Sequence, residues 1–295
     1  MGAAAGGGLP QWNCTCSNCL SVRKGQPNIE ARTQSQLALT GDGIDWFLVN
    51  ASPDLRQQLN YTPELSPNPG LGIRNTPVAG VILTSADLDH VLGLLLMREF
   101  TPVKIYATNA VRGILQANSF FRMLDRLPDQ SRWTLIEDTV RFPLGKDLSC
   151  TPIALASELP AYVRGEDHAG YSAIGLLFET GQGKRIAYLP ALPSVSPVLM
   201  NLLSTCSVLL VDGTFWSEDE LQRTQPGTGT ASSMGHLPMN GPSGSLAALR
   251  DLTEIRKIYT HINNTNPILD MKSPEYRAVC EAGWEVAWDG LEITI

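Results

Sequence analysis

Short β-branched or aliphatic runs alternate with helix-patterned stretches along the whole chain, and no other feature restricts the fold as strongly. Such alternation is the signature of an α/β layered domain. The pattern predicts strands at Gln36–Thr40, Trp46–Asn50, Gly80–Thr84, Val103–Ala107, Ala173–Glu179, Arg185–Leu189, Val208–Asp212, Lys257–His261 and Leu291–Ile295. Helices are predicted near Asp54–Asn60, Asp87–Glu99, Asn109–Leu124, Ser196–Ser204, Gly244–Leu252 and Pro274–Ala282. Gly41-Asp42-Gly43 is read as the turn of a first hairpin, because glycine accepts the positive φ of a tight turn. Polar, Gly/Pro-rich stretches at Thr62–Asn75, Glu158–Ser172 and Pro226–Ser245 are read as surface loops, the last long enough to point to function. No linker divides the chain, so residues 1–295 are read as a single domain.

Composition removes several function classes. With 22 Lys+Arg against 29 Asp+Glu and a net charge of -7, the chain lacks the cationic excess that releases counterions from nucleic acid. Hydrophobic residues make up 43% and charged residues 17%, enough to build a full core. No apolar run approaches the roughly 18 residues of a membrane span, and Val91–Met97 is broken by Gly93. The N-terminus, Met1-Gly2-Ala3-Ala4-Ala5-Gly6-Gly7-Gly8, has no secretory pattern, so a cytoplasmic location with reduced thiols is expected.

Three motifs carry candidate chemistry. Cys14-Thr15-Cys16-Ser17-Asn18-Cys19 places three thiols within six residues, a set suited to one structural Zn(II). Its fourth ligand is open between Asn264, His261 and water, and three unpaired loop cysteines are the plain alternative. In Val81-Ile82-Leu83-Thr84-Ser85-Ala86-Asp87-Leu88-Asp89-His90, a strand delivers Asp87, Asp89 and His90 at one point, a good place for a metal unless one carboxylate merely caps a helix. Ile258-Tyr259-Thr260-His261-Ile262-Asn263-Asn264-Thr265-Asn266-Pro267 again ends a strand at a histidine, with a satisfied core histidine as the ordinary alternative. Asp212, closing Val208–Asp212, and His236, in the long loop, would form an acid/base pair if they meet. His168 is read as an exposed loop residue without a role, and the scattered thiols of Cys150, Cys206 and Cys280 have no evident role.

In this order the motifs resemble the metallo-β-lactamase fold and, more narrowly, the coenzyme PQQ synthesis protein B family. The likeness rests on Ala4–Cys14, Ala31–Ser35, Asn50–Arg56, Val211–Trp216, Met234–Leu237 and His261–Pro267, and covers essentially the whole chain. It implies an αββα sandwich, with two mixed β-sheets, helices on both outer faces and a metal site where strand ends converge. It also implies a role in making pyrroloquinoline quinone (PQQ) from a peptide-derived Glu–Tyr precursor. Relatives begin with a short strand ahead of the Gly-rich loop; this sequence opens inside that loop, so an exposed sheet position is expected.

Against the H-x-H-x-D-H pattern of most metallo-β-lactamase relatives, this stretch reads Ser85-x-Asp87-x-Asp89-His90. The bridging aspartate expected after Ile186-Ala187-Tyr188 is replaced by Leu189-Pro190-Ala191, and Ala156-Ser157 offers no histidine. Four histidines in all are too few for the fold's binuclear site, which uses about five imidazoles. The resemblance therefore leaves Asp89, His90 and His261 as metal ligands, a 2-His-1-carboxylate set of the kind used by non-haem Fe(II) oxygenases. Ser85 and Asp87 stand nearby as supporting groups or occasional ligands, and Asp212 and His236 serve substrate positioning or proton transfer. The leading expectation is an Fe(II), O2-dependent hydroxylase acting on the tyrosine ring of the Glu–Tyr precursor. A metal-dependent hydrolase and a non-enzymatic carrier for transport of PQQ or its precursor are the alternatives, with a homodimer as a candidate assembly and neither membrane nor nucleic acid as partner.

Overall fold

The computed structural model describes residues 1–99, 101–156, 160, 162–163 and 170–295. In chain order the regular elements are α1 (Ser17–Arg23), β1 (Leu37–Leu39), β2 (Trp46–Val49), α2 (Leu55–Tyr61), β3 (Val78–Ile82), α3 (Leu88–Val91), β4 (Val103–Ala107), α4 (Asn109–Ala117), β5 (Ser131–Leu135), β6 (Phe142–Pro143), β7 (Leu148–Ala156) and β8 (Ala173–Thr180). They continue as β9 (Arg185–Leu189), α5 (Pro197–Leu203), β10 (Val208–Asp212), α6 (Glu220–Thr224), α7 (Ser245–Ala248), β11 (Arg256–Thr260), α8 (Pro274–Glu281) and β12 (Trp284–Val286). They form two compact units: Ser35–Gln182 with Met1, and Gly2–Gln34 with Gly183–Ile295.

In the first unit β1 to β5 lie side by side in sequence order, with β1 and β2 antiparallel and the other pairs parallel. The predicted hairpin turn forms, with Gly43 at φ 74. Leu48, Val81, Leu83, Ile105, Val111 and Leu115 are fully buried between sheet and helices. Here β6, β7 and β8 pair antiparallel. In the second unit β9, β10, β11 and β12 run parallel. All five residues of β10 are buried, as a strand covered on both faces requires. Tyr259 stacks on Trp284 at 4.1 Å, closing the core beneath β11.

Several predicted elements change shape. The helix expected over Asp87–Glu99 is a single α-turn followed by a 3₁₀ stretch at Leu92–Met97. Its path is set by Gly93, whose N–H donates to Ala51 O at 2.8 Å and where a Cβ would meet Ser52 O at 2.3 Å. The helix expected over Asn109–Leu124 stops at Ala117 because Asn118 is extended and its Oδ1 accepts the Phe120 N–H, a local bond that competes with helix continuation. Gly244–Leu252 keeps only the turn of α7. Leu291–Ile295 is not a strand; the position beside β11 is taken by β12, and the chain turns away at Gly290, φ 84. Strands β5, β6 and β12 and helices α1 and α6 were not anticipated. Strand β5, for one, pairs with β4 alone and has no fully buried residue, with Arg132 and Leu135 exposed, so nothing requires an apolar run in it.

The start of the chain is not an open edge in this structure. Ala3 to Ala5 are buried, and Ala4 bridges both Gln34 and Ile262. No helix among the described residues is long and apolar enough to cross a membrane.

Candidate metal centres

In each unit the candidate residues follow the carboxyl ends of parallel strands, where side chains leave the sheet without competing for its core. In the first unit β3 runs into Thr84–His90. The turn is clamped by Asn50 at φ 65, whose Oδ1 accepts the Thr84 N–H at 2.9 Å and the Thr84 hydroxyl at 3.0 Å. Ser85 pairs with Ala173 of β8, and Ile174 N–H donates to Thr84 O at 2.9 Å. Asp87 stands at the N-cap position of α3, yet its carboxylate accepts the Ser85 hydroxyl at 2.7 Å instead of capping the helix. His90 is 3% exposed, with Nδ1 2.7 Å from Ser85 Oγ, while its carbonyl accepts the Ala51 N–H at 2.7 Å. Asp89 Oδ2 lies 3.9 Å from His90 Nε2, so the two candidate ligands of this motif face one another. The Tyr162 hydroxyl donates to Ala86 O; burial first, then the nearby Asp87 carboxylate, push this phenol up to about 12.

In the second unit, β10 and β11 carry the loops that matter. His261 follows β11 at φ 54, a left-handed conformation that costs a non-glycine residue about 1 kcal/mol or more and clusters at functional sites. Ile262 N–H to Ala3 O at 3.0 Å and Asn263 N–H to Thr214 O at 3.1 Å hold it there. At the last position of β10, Asp212 is 1% exposed and its carboxylate is fully engaged. Oδ1 accepts the Thr214 N–H at 3.0 Å and the Thr214 hydroxyl at 2.6 Å; Oδ2 accepts the Leu192 N–H at 2.9 Å and lies 2.7 Å from His236 Nδ1. Burial opposes its ionisation, but His236, His261 and Thr214 together hold Asp212 below the usual carboxylate range. Asp212 and His236 therefore meet, with the carboxylate orienting the imidazole. His236 also stacks on His261, ring centroids 5.7 Å apart, and Asp212, His236 and His261 offer ligand atoms within 4.8 Å of one another.

The cysteine motif opens α1, with Cys16 at its N-cap. Cys14, Cys16 and Cys19 have their sulfurs within 4.8 Å of one another. Asn264 Nδ2 lies 3.2, 3.6 and 3.3 Å from those three sulfurs in turn. Burial is the main force pushing the Cys16 thiol up to about 12, and the adjoining Cys19 reinforces it. Such a crowd of thiols is poor as a set of isolated groups and good as a set of soft-metal ligands, since a bound cation supplies the missing positive charge.

Sequence reading missed the groups that hold these centres. Buried Asn18 donates to Asn264 O at 3.0 Å and Asn266 O at 2.8 Å, tying α1 to the loop after β11. Glu220 accepts the Trp216 N–H and the Thr265 hydroxyl, both at 2.6 Å, and burial pushes its carboxyl up to about 7. Thr214 lay inside a motif but carried no assigned role. The position of Asn18 between two cysteines was the one local signal available. His168 lies outside the described residues.

The chain is similar to known proteins over its whole length. The Beta-lactamase superfamily domain matches residues 45–262. Coenzyme PQQ synthesis protein B of Methylobacterium sp. (strain 4-46) is 42% identical over 299 residues, spanning 100% of this chain and 98% of the relative. The protein of that name from Pseudomonas fluorescens (strain Pf0-1) is 42% identical over 301 residues with the same coverage. Among solved structures, Zn(2+)-bound PqqB from Methylobacterium extorquens superposes with a TM-score of 0.93 at 38% identity, covering 100% of this chain and 98% of that one. The chain thus has the metallo-β-lactamase fold, an α/β architecture with two mixed sheets and helices.

Proposed function

Because the chain belongs to the coenzyme PQQ synthesis protein B family of the β-lactamase superfamily, and so to PQQ biosynthesis, we propose that it is a mononuclear Fe(II), O2-dependent hydroxylase. Its substrate is the tyrosine ring of a peptide-derived Glu–Tyr crosslinked precursor. The supporting observation is the donor chemistry: one carboxylate, Asp89, and two buried imidazoles, His90 and His261, each with Nδ1 against a hydroxyl. That set suits Fe(II) in the 2-His-1-carboxylate manner, and when bound the metal would supply O2 activation with positions left for substrate. The residues of the chain do the rest. Asp212 holds His236 in one orientation, and His236, partly open, positions substrate or moves a proton. Cys14, Cys16 and Cys19 would hold a structural zinc, with the Asn264 amide donating to their sulfurs.

Hydroxylation places one atom of O2 in an aromatic C–H bond and reduces the other to water, so the assay includes a two-electron reductant. Protein purified without oxygen and loaded with Fe(II) should be inactive on a Glu–Tyr compound until air is admitted. Turnover that continues without O2 would sink the proposal.

A metal-dependent hydrolase is the second reading, favoured by one observation: a buried Asp212 fixing His236 is the acid/base geometry such chemistry uses. Cleavage of a peptide or phosphodiester bond with Zn(II) alone would support it over the hydroxylase.

A further inference from the structure

Three histidines are described, and in each the Nδ1 atom faces an oxygen: Ser85 Oγ for His90, with Thr84 Oγ1 farther off at 3.4 Å and its own proton given to Asn50 Oδ1, Thr214 Oγ1 for His261, and Asp212 Oδ2 for His236. A carboxylate can only accept, so His236 donates from Nδ1. The two hydroxyls are less obvious, since each can donate or accept, and their remaining partners decide the matter. Ser85 Oγ is 2.7 Å from Asp87 Oδ2, an acceptor that takes the single hydroxyl proton. The Asp87 N–H at 3.2 Å uses a Ser85 lone pair. Thr214 Oγ1 is 2.6 Å from Asp212 Oδ1 and 2.9 Å from the His261 carbonyl oxygen, two groups that cannot donate to it. One proton on each hydroxyl and a carboxylate to receive it leave the imidazole as donor in both places.

We infer that Ser85 and Thr214 are positioning residues that fix His90 and His261 in the Nδ1–H tautomer, each hydroxyl being oriented in turn by a carboxylate, Asp87 for one and Asp212 for the other. The lone pair of each neutral ring then lies on Nε2. This deepens the proposed function and rests on it where the two rings are taken as metal ligands, because a ligating imidazole must offer a lone pair, and its other nitrogen sets which one. It also explains the exchange of Ser85 into a motif where metallo-β-lactamase relatives keep a histidine: the hydroxyl here serves the neighbouring ring instead of a second metal. Asp212 acquires a double duty, orienting His236 through Oδ2 and His261 through Thr214.

The test is nitrogen NMR of the histidine side chains in metal-free full-length protein at alkaline pH, a neutral ring being recognised by two distinct nitrogen shifts. Nε2 of His90 and His261 should resonate as lone-pair nitrogens and Nδ1 as N–H. Thr214→Val removes the hydroxyl at nearly constant shape and should move the His261 ring proton toward Nε2, while Thr214→Ser keeps it at Nδ1; Ser85→Ala, which leaves His90 Nδ1 only the longer contact to Thr84 Oγ1 at 3.4 Å, should move the His90 ring proton toward Nε2. Fe(II) affinity, read anaerobically by competition with a chromophoric chelator and Fe(II) alone, should fall about 10–100-fold in the hydroxyl-less variants and recover in Thr214→Ser. A ring proton found on Nε2 in the wild-type protein, or one that stays on Nδ1 in Thr214→Val, overturns the inference, and the wild-type spectrum decides even if a variant fails to fold. Tautomers that shift as described with Fe(II) affinity unmoved would uphold the positioning role and remove these rings from the metal.

Discussion

The buried Glu220 offers a prediction whose size follows from the structure. This carboxyl is 5% exposed, and burial raises it from 4.5 to about 7 against the pull of Thr265, the Trp216 and Ser217 backbone and Arg223. A carboxyl whose folded value lies above its unfolded value contributes most to stability below the unfolded value. That contribution is lost as pH rises through the folded value, because the folded state binds the extra proton. At about 1.4 kcal/mol per unit, the window from pH 5 to pH 8 removes about 2.5 kcal/mol through this one residue. Glu220→Gln cannot ionise and should abolish that slope. The glutamine also turns one acceptor into a donor between Trp216 N–H and Thr265 Oγ1, which already receives Asn263 Nδ2 at 2.6 Å, so a constant penalty of about 1 kcal/mol is expected beneath it. Urea unfolding of both proteins at several pH values separates the two effects. The difference between variant and wild type should shift by about 2.5 kcal/mol in favour of the variant between pH 5 and pH 8. A difference constant to within about 0.5 kcal/mol over that range would refute the account of Glu220 as a proton-holding strut between the loops after β10 and β11.

Two further outcomes are expected. Gly93→Ala should destabilise by about 2–4 kcal/mol, since its Cβ would fall 2.3 Å from Ser52 O and 2.8 Å from Ala51 O; a wild-type denaturation midpoint would contradict the packing described for the His90 turn. Cys19→Ser, at a fully buried position, should lower bound zinc by about one equivalent per chain in elemental analysis and reduce thermal stability. Unchanged zinc content would remove the cysteines from the metal inventory.

Much of the fold could be read from the chain because its strands are apolar runs in a parallel arrangement. Val103–Ala107, Arg185–Leu189 and Val208–Asp212 have the predicted limits, and Val208–Asp212 is buried along its whole length, so it stops where its apolar run stops. Strand β12 is only three residues long and leaves a faint trace, and helix lengths depended on single contacts, Gly93 against Ala51 and Asn118 on its own backbone. The sites divide the same way. Asp212 and His236 were named as a pair to be tested, and they meet at 2.7 Å; the three cysteines cluster as expected, with Asn264 beside them. The supports of these groups were hidden, because Asn18, Glu220 and Thr214 act on residues far away in sequence.

By itself the sequence determined which chemistry the protein can hold: three adjacent thiols, one carboxylate-rich strand end, and four imidazoles in all. Residue identity limits the donors available, whatever the fold. Only tertiary structure decided what each donor does. A hydroxyl can give or take a proton, a carboxylate can ligate or orient, and a histidine can present either nitrogen. These choices depend on which atom lies within about 3 Å of which, a distance set by packing.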